Sequence, residues 1–525
     1  MNKSNNKNLV YILTIGIIFF FGIFLRILAF IRLNYYIIGD ECHSIYGSIV
    51  SLKDIFTLFI QGTNFLPLYR LLLHDIWLCC GINWTLFKLP SLIASICSIF
   101  VFYLILAKLF KNKLLIISSL LLFCFNYTLI LFSTRVKPYT TDVLLVLIIM
   151  YAAISLLNKI KTETLSFKDT IIYAIVSIVF VYTSIPAIVY SQICFWGAAL
   201  YSFIKKQKRL FFKFFIYEFL VFGTILFEYF TYIKQIQTDN GLKDQWLTQQ
   251  YFFIPNSFAA INSLIHFSFF EYRFFDIEIT KTLPIYILCT FVALFFIGSL
   301  NFIIKKSYKL EKYYIFLMIL MPMFFFIALS FLKLYPFCNR NILFLLPTII
   351  IILINAFNFD TNKAIKILSC ILLIIFMSFN ATYIIKNGEL AFLLKKNPIY
   401  KTVEKKLNFV ESINSKDEII LSGENLCLYC INNKNILILE PWNFEEGKNI
   451  KFYNRHLDQT KNEKSINDII GQYKKIYYVY NNDDPLFNEK VLNTFNQQSY
   501  KKTENTIYID GLYKIQVIEN SKFNQ

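Results

Sequence analysis

The sequence predicts a polytopic α-helical membrane protein of about eleven spans, and up to thirteen, followed by a small extracytoplasmic α/β domain. Three observations predict it. First, 56% of the 525 residues are hydrophobic and 16% are charged, with a mean hydropathy of +0.52; soluble globular chains run at about 45–50% and about 25%. Second, apolar runs of spanning length follow one another, separated by short basic loops. Third, after Ile385 the composition shifts: Asn, Lys, Asp and Glu rise and the apolar runs shorten. The 57 Phe and 34 Tyr suit lipid-facing helices with interfacial aromatic anchors. A formal charge of +18 would point to nucleic acid in a soluble chain. Here much of the excess lies between spans, so no nucleic-acid partner is expected and the charge reports orientation among membrane lipids.

The first apolar run, Leu9–Ile31, is too long for a signal-peptide core and shows no clear small-residue cleavage site. With Lys3 and Lys7 before it, it reads as an uncleaved span whose N-terminus is cytoplasmic. Further runs begin at about Leu86, Leu114, Thr141, Thr170, Ala187, Phe214, Leu283, Tyr313, Asn341 and Ile367. Basic clusters fall between alternate spans, at Lys108–Lys113, Lys159 and Lys161, Lys205–Arg209, Lys305–Lys312, and Lys363 and Lys366, and the positive-inside rule puts them in the cytoplasm. Asn64–Ile82 could pass for another span, but it would invert every later loop. It also carries Arg70 and His74 on one helical face, so it reads as an amphipathic helix at the outer interface, with a second short one over Asp54–Gln61.

Residues 1–385 are then a membrane domain with a first outer loop 32–85 and a long outer loop 234–282. Ser133–Thr140, the turn Thr183–Pro186 and Lys333–Arg340 complete the outer face. Residues 386–525 form the extracytoplasmic domain, with buried strands at Glu418–Ser422, Asn435–Leu439 and Lys475–Tyr480, and helices over Ser465–Tyr473 and Asp484–Phe495. The Lys/Asn/Ile-rich composition suggests an AT-rich bacterial genome, and so a bacterial cytoplasmic membrane. There is no internal repeat. The 11 cysteines are scattered, mostly inside apolar runs, and read as core residues; Cys427 and Cys430, or Cys42 and Cys338, are open as pairs.

Polar diversity collects outside, and three segments there have the chemistry of a site. Asp40-Glu41-Cys42-His43 follows the first span directly; it reads either as a capped, solvated loop start or as a carboxylate site at the membrane surface. Ser133–Tyr139 carries Arg135 and Lys137 on the side where the positive-inside rule disfavours them, so they either hold lipid headgroups or clamp a phosphate. Arg340, in Pro336–Arg340, is a cation at the expected start of a helix, a combination that suits an anion. Together they describe a carboxylate base and a few cations near the bilayer surface, which suits a leaving group that is a lipid phosphate. His266 and Glu271 in the long loop could touch an acceptor or a metal, and Trp246 and Tyr251 could stack on a sugar; a structural role is favoured for the lone His in its aromatic run, and an interfacial one for the aromatics.

In the order and spacing of five segments the chain resembles the membrane glycosyltransferases of the GT-C superfamily, in particular the bacterial relatives of the protein O-mannosyltransferases and of the lipid A aminoarabinose transferase. The segments are Asp40-Glu41 after the first span; Phe65-Leu-Pro-Leu-Tyr69, running on through Arg70 to His74, which is similar to the family's His-Pro-Pro-Leu-Tyr; Phe87-Lys-Leu-Pro-Ser91, similar to Arg-Leu-Pro-Ser; Ser133–Tyr139, similar to Arg-Pro-Tyr with Lys137 for Arg; and Asn339-Arg340 with Leu346-Pro347, similar to Arg-Tyr…Leu-Pro. The likeness covers about 390 residues. The family's first His and Pro are replaced by Phe65 and Leu66, and Lys137 keeps the charge without the guanidinium fork.

The resemblance implies a GT-C-type fold and an inverting transfer from a polyprenyl-phosphate sugar, the carrier expected to be undecaprenyl phosphate, to a lipid, glycan or protein acceptor. Asp40 would be the base, with Glu41 orienting the acceptor or binding a divalent cation with His43; Arg135, Lys137 and Arg340 would hold the donor phosphate; His43, Tyr69, Arg70, His74 and Tyr139 are substrate-binding candidates. No cofactor is required by the sequence. A divalent metal is left open, with Glu41, His43 and His266 as candidate ligands. A polysaccharide repeat-unit polymerase or ligase is the rival enzyme. It needs neither an acidic pair after the first span nor a terminal α/β domain. A lipid-linked sugar transporter would place ionisable residues at mid-membrane and show repeated halves.

Overall fold

The computed structural model describes residues 3–32, 41, 44–45, 47–48, 51–57, 66–81, 83–234, 285–304, 310–337 and 339–358, and seven strands between residues 418 and 520. The chain divides into two compact units, Met1–Asn34 with Gly47–Leu394, and Tyr35–Tyr46 with Lys395–Gln525.

The first unit is a helical bundle. Its described helices are α1 (Lys3–Arg32), α2 (Leu52–Thr57), α3 (Pro67–Cys80), α4 (Trp84–Leu109), α5 (Lys113–Cys124), α6 (Tyr127–Phe132), α7 (Tyr139–Lys161), α8 (Phe167–Val181), α9 (Ile185–Ile204), α10 (Lys208–Glu228), α11 (Ile285–Ile304), α12 (Leu310–Phe331) and α13 (Leu346–Asn355). Among the described residues five helices are long and apolar enough to cross a membrane, and the chain is a multi-pass membrane protein.

Local sequence sets the helix starts. The side chains of Asn83, Asn112, Asn126 and Ser184 each accept a first-turn N–H of α4, α5, α6 and α9. Ser166 and Asp169 form a reciprocal capping box at α8. The outer surfaces of α1 and α10 are lined by exposed Phe, Leu and Ile, as a lipid-facing helix requires. Inside, α4, α5, α7, α9, α12 and α13 share one apolar core. Helices approach closest at glycines. A Cβ on Gly298 of α11 would lie 2.0 Å from the Ile352 carbonyl oxygen of α13. Beside it Asn301 donates to the Asn355 carbonyl at 2.7 Å, and Asn355 donates to that of Gly298 at 2.9 Å.

Four expectations need adjustment. The run expected from Leu114 is one path broken in two, because α5 ends at Cys124 and α6 restarts after Asn126. The run expected from Phe214 starts earlier, at Lys208. The run from Asn341 opens as a 3-10 helix, Asn339–Leu345, and becomes α-helical only at Leu346, where Pro347 fits the first turn. Asn64–Ile82 contains α3, but its buried face carries Arg70 and His74 while Leu72 and Leu78 are exposed. Tyr69 and Leu73 are buried beside them and Asp75 is exposed, so the helix is amphipathic with two polar residues on its buried face. The span expected from Ile367 lies outside the described residues.

The second unit contains a seven-stranded sheet: β1 (Glu418–Ser422), β2 (Ile436–Leu439), β3 (Lys451–Tyr453), β4 (Glu463–Ser465), β5 (Lys475–Asn481), β6 (Tyr500–Tyr508) and β7 (Tyr513–Asn520), in the order β4-β3-β2-β1-β5-β7-β6. The centre, β2-β1-β5, is parallel, with Ile420 opposite Ile436 and Leu421 opposite Tyr478. Both flanks are antiparallel. The three expected strands are present. Ser465, expected to open a helix, instead closes β4; the rest of that helix and the one over Asp484–Phe495 lie outside the described residues.

Candidate functional site

One end of the bundle gathers ionisable side chains at the starts and ends of helices. The segment after α6 is rolled into a turn by its own chain. Ser133 N–H donates to the Leu129 carbonyl at 3.2 Å and Arg135 N–H to that of Phe132 at 3.3 Å. The Ser133 and Thr134 hydroxyls bind the carbonyls of Ile130 and Leu131. α4 then fixes the start of α7 in both directions: the Ser91 hydroxyl donates to the Lys137 carbonyl at 3.0 Å, and the Thr140 hydroxyl to the Ser91 carbonyl at 3.1 Å. The turn holds Arg135 and Lys137 buried. Lys88, fully buried, lies one helical turn before Ser91 on α4.

Tyr139, the first residue of α7, packs its ring edge-on against Phe132 with centroids 5.3 Å apart. The Arg340 guanidinium lies over the same ring, 6.0 Å from its centroid, a cation–π contact. Arg340 is the second residue of the 3-10 helix, which Tyr335 steadies by donating to the Asn341 carbonyl at 2.9 Å. The expected helix start at Arg340 is present: it opens as the 3-10 turn, and α13 follows six residues later at Leu346.

A turn further along α7, Asp142 is buried and accepts from the Ser184 hydroxyl. Ser184 belongs to the α8–α9 turn, where the Tyr182 carbonyl accepts the Leu68 N–H at 3.1 Å. That bond ties the start of α3 to the same end of the bundle.

Within α3, Tyr69, Arg70 and His74 are buried. Arg70 donates from Nε to the Gly47 carbonyl at 2.8 Å and from its terminal nitrogen to that of Ile55 at 3.0 Å. His74 Nδ1 meets the Ser48 carbonyl at 2.9 Å. The expected shared face of Arg70 and His74 is present, and it clamps residues 47–55 against α3. Glu41 is buried and falls in the second unit. Asp40, His43, His266 and the long-loop candidates Glu271, Trp246 and Tyr251 lie outside the described residues, as do Cys42, Cys338, Cys427 and Cys430. Among the described residues no three His, Cys, Asp or Glu side chains are grouped to hold a metal.

Sequence reading did not single out Lys88, Asp142, Arg26 of α1 or Glu218 and Glu228 of α10, all buried. Each is an ionisable residue inside an apolar run, which is itself a signal. Arg26 is structural. Its Nε donates to Ser95 at 2.7 Å, and one terminal nitrogen bridges the carbonyls of Gly22 and Cys124, each at 2.9 Å. It thereby satisfies a carbonyl freed where α5 breaks. A Cβ on Gly22 would lie 2.9 Å from that of Cys124, so this crossing admits only glycine without movement.

No protein-family model matches the sequence, and no curated relative does. Thirteen solved chains match by structure. The crystal structure of ArnT from Cupriavidus metallidurans bound to undecaprenyl phosphate superposes with a TM-score of 0.51 at 11% identity, covering 96% of this chain and 98% of that one. ArnT from the same organism in the apo state gives 0.41 at 8% identity, over 99% and 98%. The chain has the fold of that ArnT structure.

Proposed function

We propose that the protein is an inverting glycosyltransferase that moves a sugar from a polyprenyl-phosphate donor to an acceptor on the outer face of the cytoplasmic membrane. The observation that carries this reading is the cationic turn. Arg135 and Lys137 are buried in Ser133–Tyr139, Lys88 lies beside that turn on α4, and Arg340 is over Tyr139. All of it sits on a fold shared with a protein crystallised with undecaprenyl phosphate. Several cations held at one bundle end make a positive field that suits a phosphate, and fixed charges stabilise a departing phosphate without reorganising.

In this reading the acceptor oxygen attacks the anomeric carbon, its proton passes to Asp40, and the bond from that carbon to the phosphate oxygen breaks. The electron pair leaves on the carrier phosphate, facing Arg135, Lys137 and Arg340. A single in-line displacement inverts the anomeric centre. Glu41 orients the acceptor. The carrier is undecaprenyl phosphate, and the acceptor is a hydroxyl or phosphate of a lipid, glycan or protein.

The test is transfer of radiolabelled sugar from a panel of polyprenyl-phosphate donors to membrane extract, by wild type and by Asp40→Asn. Transfer that falls by at least about 10²-fold in the variant, at equal folded protein, supports the reading. Unchanged transfer by the variant removes Asp40 as base. No transfer by wild type across the panel favours a polymerase, ligase or transporter.

A further inference from the structure

α10 presents almost its whole surface outward, yet it turns two carboxylates inward: Glu218 and Glu228 are 1% and 2% exposed. Phe214, Glu218, Val221, Ile225 and Glu228 recur at spacings of four and three, so they form one stripe. Glu228 Oε1 has no hydrogen-bond partner. It sits at the end of the helix, where the backbone widens into a π-helical turn, Tyr229–Ile233. Such turns are rare and concentrate where a helix has been altered for function.

Three segments converge around it. Leu66, at the start of α3, packs in one cluster with Val181, Val221, Ile225 and Ile233. Leu68 bonds the Tyr182 carbonyl. Burial first, and the nearby Glu228 carboxylate second, push the Tyr182 hydroxyl up from its ordinary pKa, and the Tyr182 ring is only half-buried. Two residues further on, Ser184 binds Asp142, one turn along α7 from the Tyr139 that carries Arg340. The Glu228–Tyr182 pair thus lies at the same end of the bundle as the cationic turn.

A buried carboxylate oxygen with no partner among the described residues is costly unless something donates to it. A carboxylate accepts up to about four hydrogen bonds, and a tyrosine offers an apolar face with a polar edge. That pairing fits the alternating hydroxyls and C–H face of a sugar ring. We infer that Glu228 and Tyr182 form the subsite that reads the ring of the transferred sugar, Glu228 accepting from its hydroxyls and Tyr182 packing against its face. The sugar is the donor's, because the pair shares its bundle end with the cations that the proposed function assigns to the donor phosphate. The inference rests on the proposed function and names the residues that select the sugar within it.

The experiment measures binding of two probes to the full-length protein in nanodiscs: undecaprenyl phosphate alone, and undecaprenyl phosphate bearing the sugar that wild type transfers best. Wild type is compared with Glu228→Leu and Glu228→Gln, with thermal unfolding of each variant alone as the control. The expected result is unchanged affinity for the bare carrier, about tenfold weaker binding of the sugar-bearing donor by Glu228→Leu, a smaller loss in Glu228→Gln, and an unaltered acceptor KM. Equal loss on both probes, no loss on either, or a rise confined to the acceptor KM overturns the subsite while leaving the proposed function intact. Failure of wild type to bind either carrier overturns the proposed function and the subsite with it.

Discussion

Arg26 and Arg340 are two arginines of one bundle used in opposite ways. Arg26 is fully buried and directs its N–H edges at fixed protein acceptors: a serine hydroxyl and two main-chain carbonyls. Arg70 and its neighbour His74 do the same against residues 47–55. Arg340 is half-buried and lies over the face of Tyr139, a contact that engages the guanidinium plane. Burial of a cation is therefore not by itself the mark of a site. Where a guanidinium ends on backbone carbonyls it joins helices; in the proposed function, the one that rests on an aromatic at the bundle end would meet the donor phosphate.

Substitutions can break or sharpen this contrast. The largest effect is expected at the cationic turn. Arg135→Ala or Arg340→Ala should lower sugar transfer by about 10²–10³-fold, roughly 3–4 kcal/mol of transition-state stabilisation, at nearly unchanged thermal stability. A stability loss matching the activity loss would place these residues with Arg26. Arg26→Met should do the converse. It strands the Cys124 carbonyl and the Ser95 hydroxyl, and should lower stability by about 2–4 kcal/mol in a denaturation assay while any protein that folds keeps its donor affinity. A selective loss of donor binding would contradict the structural assignment.

Tyr139→Leu should cost less, about 0.5–2 kcal/mol in transfer, because it removes the ring under Arg340 and keeps the charge; Tyr139→Phe should be close to wild type. The smallest effect belongs to Asp169, away from the site. The Lys159 ammonium first, then the Ser166 backbone and hydroxyl, hold its carboxyl down at about 2 from 3.8. A carboxyl whose folded pKa is depressed stabilises the fold above its unfolded value. That contribution should fade as pH falls from about 4 towards about 2. The group is exposed and screened, so Asp169→Asn should remove less than about 1 kcal/mol and flatten that acid limb in thermal scans.

Legibility followed physical environment. In the sheet, the parallel centre reads as apolar runs, Ile-Ile-Leu in β1, Ile-Leu-Ile-Leu in β2 and Ile-Tyr-Tyr-Val in β5, rich in residues that favour strands; these are the three strands that sequence reading found. The antiparallel flanks, such as Glu-Lys-Ser in β4 and Tyr-Lys-Lys-Thr-Glu in β6, are polar and carry no such signal. In the bundle, span positions and the turn at Ser133–Tyr139 were legible from hydropathy and misplaced charge. The break at Cys124–Asn126 was not, since Leu114–Phe132 is apolar throughout its length apart from short hydroxyl and amide side chains.

By itself the sequence determined that the chain crosses a membrane several times, that Arg135, Lys137 and Arg340 are cations set among apolar runs, and that a region with strands follows. Those properties belong to composition and local order. Only the tertiary structure decided which buried charges are clamps and which adjoin the candidate site. It joined Arg26 to Cys124 across 98 residues, set Arg340 over Tyr139, and left one inward carboxylate oxygen of Glu228 without a partner among the described residues. The physical reason is that the role of a buried charge depends on the dipoles and rings brought against it, and those partners come from segments far away in sequence.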